Sequence, residues 1–384
     1  MNRNIKPVLL EIAAFTMSAC LLMTGCSGGD WHMNTVNLEI HTDLQAAYLD
    51  EDDIDKSYNI FSYAKGVQEM SQPNPVELRF QAPTKDKSVT DYTVELSEYK
   101  SMKESKTYTT AEGALDIYNL ELSRLYYYRV TANFSDGTNA VSPVKRFVTN
   151  DVAPRNLKVD GVSNVRDVGG WATSDGGHVK QGMIYRGGEF NVAYSTTKAQ
   201  NVTAEGKRVL LEELGIRSEI DLRLYNNSYH ETANIKESPL GEDVNYYWCP
   251  VDSLTNPANL LTHNLEEVRH VFELLSDEEN YPVYYHCRIG TDRTGMFAFM
   301  INGLCGVSYE DLCRDYLFSN FGYLDVNHNG TSARDLDRLL REGYIDTIRA
   351  CEGDTLSEQI YNCLVGYGVQ ANWLDNIIAI MTEA

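Results

Sequence analysis

At 384 residues the chain is long enough for two or three domains of roughly 100–200 residues each. Its 43% hydrophobic content supports a sizeable core. A formal net charge of -22 gives a long-range field that repels nucleic acid and anionic lipid, so no nucleic-acid partner is expected and an anionic substrate needs a local positive pocket.

The first residues have the form of an export signal. Arg3 and Lys6 give a positive start, and Ile12–Thr24 is a mostly apolar run, shorter than the roughly 20 residues of a spanning helix. Glu11 is a charge that signal cores seldom carry. The end of the run, LLMTGCSGGD, resembles a bacterial lipobox, with Gly25 before Cys26 and a Ser-Gly-Gly spacer after it. That resemblance implies a signal peptide over 1–25, cleavage before Cys26 and lipidation of its sulfur. The mature protein is then tethered to a membrane of the bacterial cell envelope, facing periplasm or surface, rather than spanning it. Once Cys20 leaves and Cys26 serves as anchor, Cys249, Cys287, Cys305, Cys313, Cys351 and Cys363 remain. None has Cys-x-x-Cys spacing, which argues against zinc, and Cys305 and Cys313 sit in helix-like patterns as buried apolar residues.

Residues 26–150 read as a leader and an all-β sandwich. VELRF (76–80), YTVELSEY (92–99), YYYRVTANF (126–134) and VKRFVT (144–149) alternate apolar and polar residues, and SDGT (135–138) is a hairpin turn. Leu122, Tyr126, Tyr128, Val130 and Ala132 fall at the two-residue spacing of fibronectin type III domains. The resemblance implies that Tyr128 is the tyrosine-corner residue and that the module spaces an enzyme from a membrane or binds partners. The acidic run DEDDID (50–55) reads as a solvated loop.

TNDVAPRN (149–156) is the linker, because Pro154 disfavours helix at Ala153. Over 155–384 the pattern becomes α/β, a central sheet flanked by helices. KRVLLEELGI (207–216) is helical with Gly215 as its stop, and RSEIDLRL (217–224) is a strand. NLEEVRHVFELLSD (264–277) is an amphipathic helix, and YPVYYH (281–286) is a short buried strand. Helices are expected at 294–304, at 309–319 with Ser308 as N-cap, at 333–350 and at two further sites.

Between the strand ending at His286 and the next helix runs Cys287-Arg288-Ile289-Gly290-Thr291-Asp292-Arg293. Five residues separate the Cys and the Arg, enough for backbone N–H groups to curl around a tetrahedral dianion at a helix N-terminus. The same field lowers a cysteine pKa into the roughly 3.5–7.5 range of activated thiols. Arg293 can grip two phosphate oxygens with its planar fork. Gly290 and Gly295 permit close backbone approach, His286 can fix the loop, and Thr294 can donate to the sulfur. These residue types suit two-step phosphoryl transfer through a phosphocysteine, which needs no metal and no cofactor.

HCRIGTDRTG (286–295) resembles the His-Cys-x5-Arg-Thr signature of protein tyrosine phosphatases, more narrowly a bacterial family with the loop Cys-x-x-Gly-Lys-Asp-Arg-Thr-Gly. NVRDVGG (164–170), GMIYRGGE (182–189), LGIRSEIDLR (214–223) and RDYLFSN (314–320) are similar to family segments in the same order. The resemblance implies a cysteine phosphatase over 155–384 acting on a phosphorylated protein or a small phosphomonoester. It makes Cys287 the nucleophile and Arg293 the clamp. Thr291 departs from the family's Lys, which weakens a phosphoinositide or inositol-phosphate reading. The alternative of another class is an idle surface binding protein.

Two residues compete as the proton donor. Asp292 lies in the loop itself. Asp252, in WCPVDS, lies 35 residues before Cys287 and loosely resembles a mobile Trp-Pro-Asp loop. Arg166, in RDVGG, braces the pocket or holds a turn. Asp221 and Arg223 end a strand, where ligand sites of α/β sheets cluster, or form a structural ion pair. Arg186 can add positive potential. DVNHNG (325–330) imitates a calcium loop, but its twelfth position is Leu336 rather than Glu, so it reads as a turn.

Overall fold

The computed structural model describes residues 30–51, 63–64, 71–84, 87–191, 201–226, 231–232, 237–253, 259–322 and 334–382. Cys26 with its signal, most of the acidic run at 50–55, and Asp325–Gly330 lie outside the described residues. The architecture is an α/β cysteine-phosphatase fold with an N-terminal all-β sandwich.

The described chain divides into two compact units, one from the described parts of Met1–Asn34, Arg79–Ala114 and Tyr127–Lys145, the other from those of Thr35–Leu78, Leu115–Tyr126 and Arg146–Ala384. In chain order the first elements are β1 (His32–Asn37), α1 (Asp43–Leu49), β2 (Val76–Gln81), β3 (Val89–Ser97), β4 (Lys106–Thr110), β5 (Ala114–Ile117), β6 (Leu125–Phe134), β7 (Asn139–Val141) and β8 (Lys145–Val148). One sheet runs β1-β2-β5; the other runs β4-β3-β6-β7, with β8 also paired to β6. Along β6 every second residue is buried, Tyr126 through Phe134, as a half-buried strand requires. The Ser135–Thr138 turn joins β6 to β7 with Gly137 at φ 80°. Helix α1, which the strand pattern hides, opens with a capping box between Thr42 and Gln45.

The second unit is built on a five-stranded sheet. Its strands are β9 (Arg166–Asp167), β10 (Ile184–Gly187), β11 (Ser218–Asp221), β14 (Asn245–Trp248) and β15 (Val283–His286), in the order β14-β11-β15-β10-β9. A small ladder of β12 (Tyr225–Asn226) and β13 (Glu231–Thr232) stands apart. Four strands run parallel and β9 is antiparallel at the edge. Helix α2 (Ala204–Arg208) continues as a π-turn over Val209–Glu213 and stops at Gly215, whose φ is 68°. Then follow α3 (Leu260–His263), α4 (Leu265–Leu275), α5 (Asp292–Leu304), α6 (Tyr309–Phe318), α7 (Leu336–Arg341), α8 (Tyr344–Arg349), α9 (Leu356–Gly366) and α10 (Ala371–Met381).

Neighbouring tyrosines of β15 show how the sheet is covered. Tyr284 joins Phe190, Val209 and Leu210 in one buried cluster, whereas Tyr285 meets Phe297 of α5. Successive side chains of a strand face opposite sides, so helices cover both faces. The single helix expected over 333–350 is two, because Gly343 takes a left-handed φ of 76° between α7 and α8.

Candidate active site

Strand β15 and helix α5 present Cys287 to Arg293 at the C-terminal edge of the parallel strands, where ligands of such sheets bind. Gly290 has φ 72°, and a Cβ on it would lie 2.3 Å from the Gly187 carbonyl carbon, so only glycine fits. The N-cap of α5, Thr291, makes no side-chain capping bond, which leaves the first helical amides to the loop and its ligand. Thr291 itself is fully buried.

Ionisation sets Cys287 apart from the other buried cysteines. Burial pushes Cys249, Cys305 and Cys363 up to about 12 and Cys313 up to about 11. Cys287 is as buried, and burial acts on it in the same direction. The charge of Arg293 and hydrogen bonding from Thr294 outweigh that burial and hold the Cys287 thiol below its ordinary value. The Asp292 charge opposes them. Thr294 Oγ1 accepts from the Cys287 N–H at 2.9 Å, and Arg293 Nη1 donates to Leu222 O at 3.3 Å.

Three sets of polar residues hold the loop. Below it, Asn164 Nδ2 donates to Ile289 O at 3.1 Å and Gly290 O at 3.0 Å, and Arg186 Nη2 donates to Gly290 O at 2.9 Å. Arg186 also pairs with Asp315, which takes Arg166 Nε at 2.9 Å. Arg166 and Arg186 therefore brace the loop from beneath. The Asn164 N–H donates to Ser71 Oγ at 2.9 Å, so a residue that precedes the second strand of the sandwich supports the brace.

Behind the loop, His286 Nδ1 lies 3.0 Å from Cys287 O and Nε2 lies 2.9 Å from Glu219 Oε1. Burial disfavours the imidazolium, but Asp221 and Glu219 outweigh it and raise the His286 pKa. Asp221 and Arg223 form a buried ion pair at 2.7 Å, and the same guanidinium reaches Glu189 Oε2 at 2.8 Å. Burial works to raise Asp221, yet Arg223 and His286 hold it down at about 2, whereas burial pushes Glu189 up to about 7. The Glu189 N–H donates to Arg288 O at 3.1 Å. Potential ligand atoms of Glu219, Asp221 and His286 lie within 4.8 Å of one another. They are committed elsewhere, Glu219 to His286 and Ser238 and Asp221 to Arg223 and Tyr246.

Ahead of the loop, Arg334 Nε meets Asp292 Oδ1 at 2.7 Å and Arg338 Nη2 meets Oδ2 at 3.2 Å. These cations overcome burial and hold Asp292 well below the usual carboxylate range. Asp252 is partly exposed, with Oδ2 3.7 Å from His263 Nε2 and its N–H capped by Asn264 Oδ1 at 2.6 Å.

Sequence reasoning missed Asn164, Ser71, Glu189, Glu219, Asp315, Tyr316, Arg334, Arg338 and Glu342. Asn164, Glu189, Glu219, Asp315 and Tyr316 stand inside the family-like segments, which was the available signal. The others have no motif around them.

A sequence model of the tyrosine phosphatase family matches residues 157–383. A candidate tyrosine-protein phosphatase of Cupriavidus necator is 28% identical over 185 residues, covering 43% of this chain and 63% of that protein. The chain thus spans less than two-thirds of that relative's length. Among solved structures, the core catalytic domain of the PP-IP phosphatase Siw14 from S. cerevisiae is 20% identical, with 43% of this chain and 84% of that chain covered and a TM-score of 0.28. The sixth fibronectin type III domain of human fibronectin type III domain containing protein 3 is 18% identical, with 25% and 86% covered and a TM-score of 0.20. The family match takes in more than half of the chain, including the sheet, the loop and the charged residues around it, and this chain belongs to the tyrosine phosphatase family.

Proposed function

We propose that the protein hydrolyses phosphate monoesters, specifically phosphotyrosine, through a phosphocysteine intermediate. The observation that carries this reading is the placement of Cys287 at a helix N-terminus with its N–H bonded to Thr294 Oγ1, where Arg293 and Thr294 hold the buried thiol below its ordinary value. Cys287 attacks phosphorus, Arg293 and the loop amides hold the equatorial oxygens, and Asp292 protonates the leaving oxygen. Trp248 supports an aromatic substrate: its indole is 45% exposed at the same sheet edge and is fixed by a 2.8 Å bond from Nε1 to Arg223 O. In the same reading the chain is tethered to the bacterial envelope through a lipid on Cys26, and palmitate labelling lost in Cys26→Ser tests that tether.

The experiment is hydrolysis of p-nitrophenyl phosphate without added metal, beside Cys287→Ser. Turnover abolished by the substitution is expected, with phosphotyrosyl peptides preferred over inositol phosphates. No turnover by folded, reduced protein favours the idle binding protein instead. Asp292→Asn and Asp252→Asn, compared on phosphotyrosine, identify the acid, and the larger loss is expected at Asp292.

A further inference from the structure

Asp292 presents a difficulty as an acid, since two guanidinium groups hold it as a carboxylate. Its surroundings supply the missing proton. The Tyr316 hydroxyl lies 3.1 Å from Asp292 Oδ1 and 3.2 Å from Glu342 Oε1. A phenol has one proton to donate. Two full bonds, one to each carboxyl, need one of the carboxyls to carry a proton and donate back. Asp292, gripped by Arg334 and Arg338, is the ionised partner. Glu342 is buried at 6% exposure, and burial disfavours a second charge beside the first. Burial and the neighbouring Asp292 charge raise the Glu342 pKa well above the usual carboxyl range.

The groups facing Glu342 are Asp292 on α5, Tyr316 on α6, Arg334 and Arg338 before and on α7, and Tyr344 on α8. Gly295 makes the arrangement possible. A Cβ there would lie 3.0 Å from Tyr316 Cδ2, so the bare backbone lets the phenol ring lie against the first turn of α5.

We propose that Glu342 stores the proton of the leaving-group step and passes it through the Tyr316 hydroxyl to Asp292. The proposal rests on the phosphatase reading above and makes Glu342 and Tyr316 positioning residues for the acid. In the first half-reaction the Sγ–P bond forms and the ester P–O bond breaks. Glu342 protonates Tyr316 as Tyr316 protonates the Asp292 carboxylate, and the Asp292 carboxyl so formed gives its proton to the departing oxygen. In the second half-reaction water forms the new O–P bond and the S–P bond breaks to release the thiolate. The proton lost by water returns through Asp292 and Tyr316 to Glu342. The products are an alcohol or phenol and hydrogen phosphate, and the proton count of the network is restored.

The test compares kcat/KM, which reports the first half-reaction, for p-nitrophenyl phosphate and phenyl phosphate. The first leaving group departs without a proton at neutral pH, and the second, a simple phenol, needs one. Acid catalysis contributes roughly 10²–10⁴-fold, so Glu342→Gln and Tyr316→Phe are each expected to lose at least about tenfold on phenyl phosphate and less than about twofold on p-nitrophenyl phosphate. Asp292→Asn is expected to show the same split. Equal losses on both substrates, or none on phenyl phosphate, overturn the relay. Wild-type turnover on neither substrate removes the phosphatase reading and the relay with it. A readout independent of turnover is the infrared carbonyl band of a protonated carboxyl at neutral pH. The band is expected in the wild-type-minus-Glu342→Gln difference spectrum, where the carbonyl of Glu189, itself raised to about 7, cancels; its absence from that difference overturns the proposal.

Discussion

Two charge networks flank the Cys287–Arg293 loop and are wired in opposite ways. Behind it, one guanidinium, Arg223, spans two carboxyls, Asp221 and Glu189, while His286 takes Glu219. Ahead of it, two guanidiniums converge on one carboxylate, Asp292, and Glu342 is left beside the phenol of Tyr316. The rear side chains are at most 1% exposed, whereas Asp292 is 20% and Arg338 38% exposed. Distributing cations over buried acids makes a scaffold. Concentrating them on one acid lets its neighbour keep a proton close to the chemistry.

The comparison breaks most sharply at Arg223. Arg223→Met leaves Asp221 and Glu189 buried without their shared cation, and losing one partner of such a group costs about 3–5 kcal/mol. Urea unfolding is expected to show that loss, and kcat per folded molecule is expected to change little. Glu189 carries the next effect, through pH. Its folded pKa of about 7 lies above the ordinary 4.5, so its contribution favours the fold below 4.5 and is lost as pH rises through about 7. Glu189→Gln is expected to flatten that part of the stability profile by roughly 3 kcal/mol, at about 1.36 kcal/mol per pKa unit.

At the front the signs reverse. Arg334→Met is expected to cost only about 1.5–3 kcal/mol in urea, because Arg338 remains on Asp292, a charged hydrogen bond being worth about that much. Its clearer signature is a rise in the pH at which kcat/KM on phenyl phosphate falls, since Glu342, with one cation fewer beside it, keeps its proton longer. The thiol sharpens the rear-front contrast. The depressed Cys287 pKa means that its thiolate favours the fold above the ordinary 9.0 and that this contribution fades as pH falls through the folded value. Iodoacetamide labelling of Cys287 is therefore expected to persist at pH values where Cys249 and Cys305 no longer react, and Arg293→Ala is expected to abolish the difference.

Much of this site was legible because its centre is contiguous. Cys287 through Gly295 sit on one strand-loop-helix run, and glycine, threonine and arginine there have few other uses. Two of the four parallel strands were legible, YPVYYH as a short apolar run and RSEIDL as the strand after the Gly215 stop, whereas β10 and β14 carried no strand expectation. The networks were not legible. Asp315 reaches Arg166 across 149 residues and Arg334 reaches Asp292 across 42, and a charged residue on a helix face carries no sign of which strand or loop it will meet. Asp292 was recognised without Arg334, Arg338 and Glu342, and so without the reason for its charge. Helix α1 was hidden because its seven residues are too few to establish a period beside the alternating strands.

The contact from Ser71 to Asn164 gives the chain an unexpected seam. A fragment beginning in 149–156, where the sequence suggests a linker, would contain every signature residue and still lack the hydroxyl that fixes the Asn164 amide, together with Tyr48, whose phenol donates to Arg314 O at 3.1 Å. Cutting at the most obvious linker would thus be a mutation in all but name, removing support from the loop without touching a catalytic side chain. Comparisons of catalytic power between such a fragment and the whole chain would measure that missing support first, and any influence of the sandwich second.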